Sequence, residues 1–427
     1  MNQPIIAHFS RVCFLFLFVD FSFIKLSYSK TTYTIQESDE ETIHLHTHEI
    51  PVTNLSVPLF ESQSSHHVHI YIGSPAQRRI VIVDTGSRLL VYPCEPCRRC
   101  GNNHISESYF DPKISFTDNT NDCEKCVFNS RISKCRQNQC TFVQSFTEGS
   151  SMTGYEVEDI AWFGTESIEE STKVYMYMAV PITFGCQDSE KGLISNQYAD
   201  GILGLIGLED HNNIITKMFV DGTIPHHAFS LCLRRYDGIL SIGGTSLTNR
   251  HLERMETIPL SKNNGYFSID IQDFYIGGVP IKSKNEIPLI FNKGKGTILD
   301  SGTSDTYLPI AIANEFKRVW TEVTNGQSHS NFWKSFTLDE YKILPNITLT
   351  LQNGYQFVIQ PSQYMEPDSD HDTTSSYETW NGQKRFACRI YLDEPIGCVL
   401  GANAMFDHDI LFDLGKSMIG IARADCK

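Results

Sequence analysis

Basic charge is scarce in this chain. Across 427 residues, 35 Lys and Arg face 50 Asp and Glu, a formal net charge of -15 at pH 7. Phosphate backbones are bound by concentrated positive charge, so nucleic acid is excluded as a partner. Long hydrophobic runs are also absent. The most apolar stretch, Val12-Cys13-Phe14-Leu15-Phe16-Leu17-Phe18-Val19, is closed by Asp20 and Lys25, short of the roughly 20 residues that span a bilayer. With Arg11 before it and the small residues Ser27 and Ser29 after it, the stretch reads as a signal peptide over 1–29. No transmembrane helix is expected in the mature chain. Helical periodicity is sparse too. It is carried by Ile310 to Trp320, with Ile312, Phe316, Val319 and Trp320 spaced along one face, and by Ile214 to Asp221.

Short β patterns punctuated by Gly and Pro fill the remainder. They include Val68 to Ile72, Arg79 to Val83, Glu156 to Trp162, Val174 to Phe184, Ala228 to Leu233, Gly296 to Leu299, Ile347 to Leu351 and Ile410 to Phe412. A chain of this length and pattern is mainly β and large enough for two lobes. Residues 30–58 are polar and acidic, with His44, His46 and His48, and read as a flexible leader or short prosegment. Cysteine is plentiful: 13 in all, of which Cys13 would leave with the signal. The even remainder points to disulfides and the secretory pathway, whether secreted or in a vacuolar or lysosomal lumen. The sequons at Asn54 and Asn346 are compatible with that route.

Two stretches carry the chemistry. Ile82-Val83 runs into Asp84-Thr85-Gly86-Ser87, and Ile298-Leu299 runs into Asp300-Ser301-Gly302-Thr303-Ser304. About 100 residues after each comes a matching apolar pair and glycine: Asp200-Gly201-Ile202-Leu203-Gly204 and Cys398-Val399-Leu400-Gly401. This long-period repeat predicts two similar lobes joined near Gly243-Gly244, with one aspartate from each at a cleft between them. Two carboxylates a hydrogen bond apart share one proton, so one acts as base toward water and the other as acid toward a carbonyl. No metal or cofactor is needed for that. A glycosidase also uses two carboxylates, but it does not explain the mirrored hydroxyls and glycines.

Those residues, with Phe412-Asp413 and Ile419-Gly420-Ile421-Ala422, resemble the pepsin-like aspartic proteases from about residue 60 to 426. The resemblance implies a mainly β, bilobal fold of two pseudo-symmetric lobes with a central cleft and a β-hairpin flap. It places the first lobe at 59–244, with a Cys-rich insert at 94–140 and the flap at 144–155, and the second lobe at 245–427. It implies an aspartic endopeptidase acting on polypeptides through Asp84 and Asp300, working as a monomer. By the same resemblance, Thr85 and Ser301 bond across the lobe junction, Ser87 and Thr303 bond the outer carboxylate oxygens, and Gly86 and Gly302 let the chains approach. The alternative from another class is a pepsin-fold protein that only binds, such as an inhibitor.

Within the family the insert looks like the nepenthesin-type and plasmepsin V-type branch. It holds Cys94, Cys97, Cys100, Cys123, Cys126, Cys135 and Cys140, followed by Cys186. Their mutual pairing is open at this level. Resemblance pairs Cys232 with Cys426, and a hairpin link between Cys388 and Cys398 is expected. Zinc is the weaker reading of the Cys-x-x-Cys pairs. Phe146-Thr147-Glu148-Gly149 stand at the flap. The family usually has Tyr at Phe146, bonded to a Trp that aligns with Val91, so a flap seated by apolar contact alone is expected here. Glu148, near the tip, is a candidate for attracting a basic substrate side chain. The leader has one lysine, Lys30, and no arginine, so it lacks the basic residues with which family prosegments reach the aspartates.

Overall fold

The computed structural model describes residues 54–427 except 102, 107, 120–122, 124–125, 129–131, 147–148, 207–211, 262–264, 284 and 369–381, together with the backbone of 31–36 and 44–49. The expected signal segment 1–29 lies outside the described residues.

A sheet of fourteen strands runs through the first lobe and into the second. Its seam is the antiparallel pair Ala228–Leu233 and His408–Asp413, with Leu231 opposite Ile410. Phe229 stacks on Phe412 at 4.8 Å, and Phe267 meets both rings at an edge. Large apolar side chains from both halves therefore close one continuous core, which fixes the lobes to each other. Cys232, in the seam strand, is bonded to Cys426 near the chain terminus. Smaller sheets of five, four and three strands complete the second lobe.

The repeat read from the sequence is a repeat of strand pairing. In the first half, Gln77–Asp84 runs parallel to Gly201–Gly204, which pairs antiparallel with Leu90–Pro93. In the second, Thr297–Leu299 runs parallel to Cys398–Leu400, which pairs antiparallel with Thr306–Pro309. Gly204 and Gly401 end the middle strands because another chain segment passes there. A Cβ on Gly204 would lie 2.4 Å from Leu89 N, and one on Gly401 would lie 2.1 Å from Asp305 O. Helix Ala313–Val323 buries Phe316, Val319 and Trp320, and Ile214–Val220 forms the other expected helix.

Four differences from the sequence reading have physical causes. Leu55–Ser62 is a strand whose alternation buries Leu55, Val57 and Leu59 and which pairs with Asp237–Ile242, so residues 55–58 are held in the sheet where a flexible segment was expected. Within the leader, Thr31–Gln36 pairs with His44–Glu49 as a two-stranded sheet, in keeping with the β-branched Thr31, Thr32, Thr34 and Ile35. The strand expected from Val174 begins at Val180. Residues Ile168–Tyr175 are helical, started by Ser167, whose side chain accepts the Glu170 N–H.

The fourth difference concerns the Cys388–Cys398 disulfide: both thiols are free and buried. Cys388 ends the strand Gln383–Cys388, which pairs with Met365–Pro367 in the three-stranded sheet, whereas Cys398 opens Cys398–Leu400 in the five-stranded sheet, so the two cysteines stand in different sheets. The Cys388 Sγ lies 3.5 Å from His329 Nε2 instead, and burial pushes both thiols up.

Candidate active site

The two aspartate turns meet at the seam between the lobes. Ile80, Val81, Ile82 and Val83 are buried, and so are Ile298 and Leu299; the apolar run is what drives each strand into the interior. At its end each aspartate keeps a backbone bond to its parallel partner: Leu205 N–H donates to Asp84 O at 2.8 Å, and Asp300 N–H donates to Leu400 O at 3.0 Å. The side chains turn toward the opposite lobe. A Cβ on Gly302 would lie 2.5 Å from Asp84 Cγ, and one on Gly86 would lie 2.5 Å from Asp300 Cγ. Glycine at both positions is the condition for the carboxyls to approach.

Each carboxyl is held in the same way. Asp84 Oδ1 accepts the Gly86 N–H at 2.7 Å, and Oδ2 accepts the Ser87 hydroxyl at 2.5 Å. Asp300 Oδ1 accepts the N–H groups of Gly302 and Thr303 at 3.1 and 3.2 Å, and Oδ2 accepts the Thr303 hydroxyl at 2.8 Å. Beneath them the turns are locked reciprocally. Thr85 Oγ1 donates to Leu299 O and accepts the Ser301 N–H, both at 2.9 Å; Ser301 Oγ donates to Val83 O at 2.6 Å and accepts the Thr85 N–H at 3.1 Å. Both side chains are 1% exposed, so these four bonds have no competition from water.

Burial raises the Asp84 carboxyl above its ordinary 3.8, and the facing Asp300 charge raises it further. Burial also raises Asp300, while the Thr303 and Gly302 donors pull it back. A pair so placed keeps one proton between two carboxyls, and that proton belongs to the pair.

The strands Gln139–Ser145 and Ser151–Gly164 form a hairpin in which Ser145 lies opposite Ser151. Its turn is closed by Phe146 N–H to Ser150 O at 2.9 Å and Gly149 N–H to Phe146 O at 3.1 Å. Thr147 and Glu148 lie outside the described residues. Phe146 packs on an apolar cluster that includes Val91, Phe142, Met152 and Ile202. The pair of positions that departs from the family therefore shares one apolar cluster.

The insert is tied down by Cys94–Cys186, Cys97–Cys100, Cys123–Cys135 and Cys126–Cys140. Glu156 has a role that its place in the sequence does not show. It is fully buried in the hairpin and accepts the N–H groups of Val127 and Phe128 and the Ser133 hydroxyl. It forms a ligand-like trio with Cys126 and Cys140, but those two sulfurs are bonded to each other and the carboxylate is taken up by its three donors. A lone Glu in a strand pattern gives no signal of this. Phe128, held in place by Glu156, packs in the Phe146 cluster, so the insert supports the hairpin from beneath.

Two family models match this chain: one described as xylanase inhibitor N-terminal over residues 66–244, and one as xylanase inhibitor C-terminal over residues 266–423. The chain is 24% identical to Aspartic proteinase 36 of Arabidopsis thaliana, covering 88% of this chain and 78% of that protein. It is 24% identical to Plasmepsin V of Plasmodium falciparum, covering 84% and 70%. The chain belongs to the pepsin-like aspartic protease family. Aspartic proteinase nepenthesin-2 of Nepenthes gracilis is a further relative, 26% identical over 64% of this chain and 59% of its own length. As a pepsin-like aspartic protease the chain is an aspartic-type endopeptidase with polypeptide substrates. Among the described residues no helix is long and apolar enough to cross a membrane.

Proposed function

We propose that Asp84 and Asp300 hydrolyse peptide bonds by holding a water between them. The observation that carries this is the mirrored set of donors on two buried carboxyls, each facing the other lobe's glycine. The ionised member takes a proton from the water, which attacks the carbonyl carbon. The protonated member donates to the developing oxyanion, and a proton then passes to the leaving nitrogen as the C–N bond breaks. No covalent intermediate forms on the protein. A protein of this fold that only binds has no need of both carboxyls with complete donor sets, so the full constellation supports catalysis over binding alone.

The pH dependence follows from the shared proton. Both carboxyls are raised, so as pH rises through the raised range the pair loses its proton and cleavage falls. The acid side is limited by the fold. Burial pushes His67 and His329 down to about 4; they stay neutral in the folded chain, while the unfolded chain protonates them below their ordinary 6.5. Their contribution to stability is therefore present above pH 6.5 and lost as the pH falls toward 4. Cleavage of a peptide pool is expected to be greatest at acidic pH and to decline toward neutrality. Hydroxylamine added during turnover should yield no peptide hydroxamate; finding one would show an acyl intermediate and overturn the two-aspartate mechanism.

The hairpin at 139–164 is proposed as the flap over this cleft, seated by Phe146 on the apolar cluster that includes Val91. Phe146→Ala removes that contact, and KM is expected to rise about tenfold with the pH profile unchanged. Steady-state kinetics on one peptide checks this; an unchanged KM would remove the hairpin from substrate binding. Five disulfides and the apolar N-terminal stretch support a signal peptide and an oxidising compartment. The exposed Asn54 and Asn346 support glycosylation there.

A further inference from the structure

Arg88 follows the Asp84-Thr85-Gly86-Ser87 turn directly. Its backbone is clamped from both sides. Gly204 presses on it, since a Cβ there would lie 2.5 Å from Arg88 C, and Ile206 N–H donates to Ser87 O at 2.9 Å. The next residue, Leu89, packs into the Phe146 cluster under the hairpin. The Arg88 side chain takes a different course, toward the second lobe, where a Cβ on Gly265 would lie 2.4 Å from its Nη2. Gly265 stands two residues before Phe267, whose carbonyl accepts the Leu299 N–H at 2.9 Å, so it flanks the Asp300 end of the second catalytic strand. Arg88 thus leaves the Asp84 turn and reaches Gly265 of the second lobe. It is exposed, and among the described residues it forms no ion pair.

We infer that Arg88 is a specificity-determining residue that receives an acidic side chain of the peptide substrate, an Asp or Glu within a few residues of the cut. The inference rests on the peptidase reading of the cleft. A peptide lying between the lobes over Asp84 and Asp300 passes next to this guanidinium. The guanidinium is planar, stays charged at every working pH and matches a carboxylate with two parallel N–H donors. In a chain of net charge -15, an exposed cation that forms no ion pair among the described residues also sets a local attraction against the general repulsion of acidic peptides.

The test uses binding as well as cleavage, so the two readings fail separately. Fluorescent peptide pools are prepared with Glu, Gln or Lys fixed at each position in turn, and anisotropy is measured on full-length Asp84→Asn protein. A pool with Glu at one position is expected to bind about tenfold tighter than its Gln counterpart, the gap narrowing as salt is raised. Arg88→Gln in the same background should erase the gap, and Arg88→Glu should reverse it toward Lys. Melting temperature confirms that both variants fold. A Glu preference that survives Arg88→Gln, or no charge preference at all, overturns the role of Arg88. A Glu preference that depends on Arg88 in a protein whose Asp84 form cuts nothing upholds the role of Arg88 and overturns the peptidase reading.

Discussion

Asp84→Asn is expected to lower cleavage by at least about 10³-fold and, at pH 7, to raise the melting temperature. The first effect follows from losing one half of the acid–base pair, since proton transfer by a placed side chain contributes about 10²–10⁴-fold. The second follows from the cost of burying two carboxyls together. The folded chain holds Asp84 above its ordinary 3.8, through burial first and the Asp300 charge second, whereas the unfolded chain ionises it there. Stability from this group is full below pH 3.8 and is lost as the pH rises through the folded value. Asparagine keeps the shape and the Gly86 N–H partner but never ionises, so it escapes that loss. Each tenfold difference in proton affinity between the folded and unfolded chain is worth about 1.36 kcal/mol, so the gap between the two proteins should be about 1–3 kcal/mol at neutral pH and should close below pH 4. Calorimetry of both forms from pH 3 to 7 reads it directly. A variant that is less stable than the parent at pH 7 would mean that the carboxyl at 84 is ionised at little cost.

Thr85→Val should have the opposite pairing of effects, losing stability and activity together. Valine keeps the volume but leaves the Leu299 carbonyl and the Ser301 N–H without partners in a site that is 1% exposed. Each orphaned group costs about 1–3 kcal/mol, so a loss of about 2–6 kcal/mol is expected for the two. Ser301→Ala orphans the Thr85 N–H and the Val83 carbonyl in the same way. The four bonds form one network, so the double variant should lose less than the sum of the two. Activity should fall about 10²-fold in either single variant, because these hydroxyls set the distance between the carboxyls and small displacements there are costly. Denaturant melts beside steady-state rates check both effects. Full activity in Thr85→Val would show that the carboxyls hold their positions without this network.

The site was legible because its requirements are local. A buried strand that ends in Asp, hydroxyl, Gly marks the candidate turns at Asp84 and Asp300, and the roughly 100-residue offset to Leu203-Gly204 and Leu400-Gly401 states that each half builds the same parallel pairing. What escaped depends on sheet order. Cys388 and Cys398 look close along the chain, but Gln383–Cys388 and Cys398–Leu400 belong to different sheets, which spacing does not reveal. The Cys-rich insert could not be paired from its spacing, because Cys94 joins Cys186 across 92 residues while Cys97 joins Cys100 across three. Glu156 and Arg88 were missed for a related reason. One is a carboxylate in a strand pattern and the other a charge beside a motif, and their roles come from segments that only the fold brings to them.

The most direct measurement is mass-spectrometric cleavage profiling of a mixed peptide library from about pH 3 to 7, with the leader-trimmed protein run beside Asp84→Asn and Asp300→Asn. New peptide termini from the parent protein at acidic pH, fading toward neutrality, and none from either variant is the predicted result. Equal cleavage by parent and variants, or none by the parent at any pH, would contradict hydrolysis by Asp84 and Asp300.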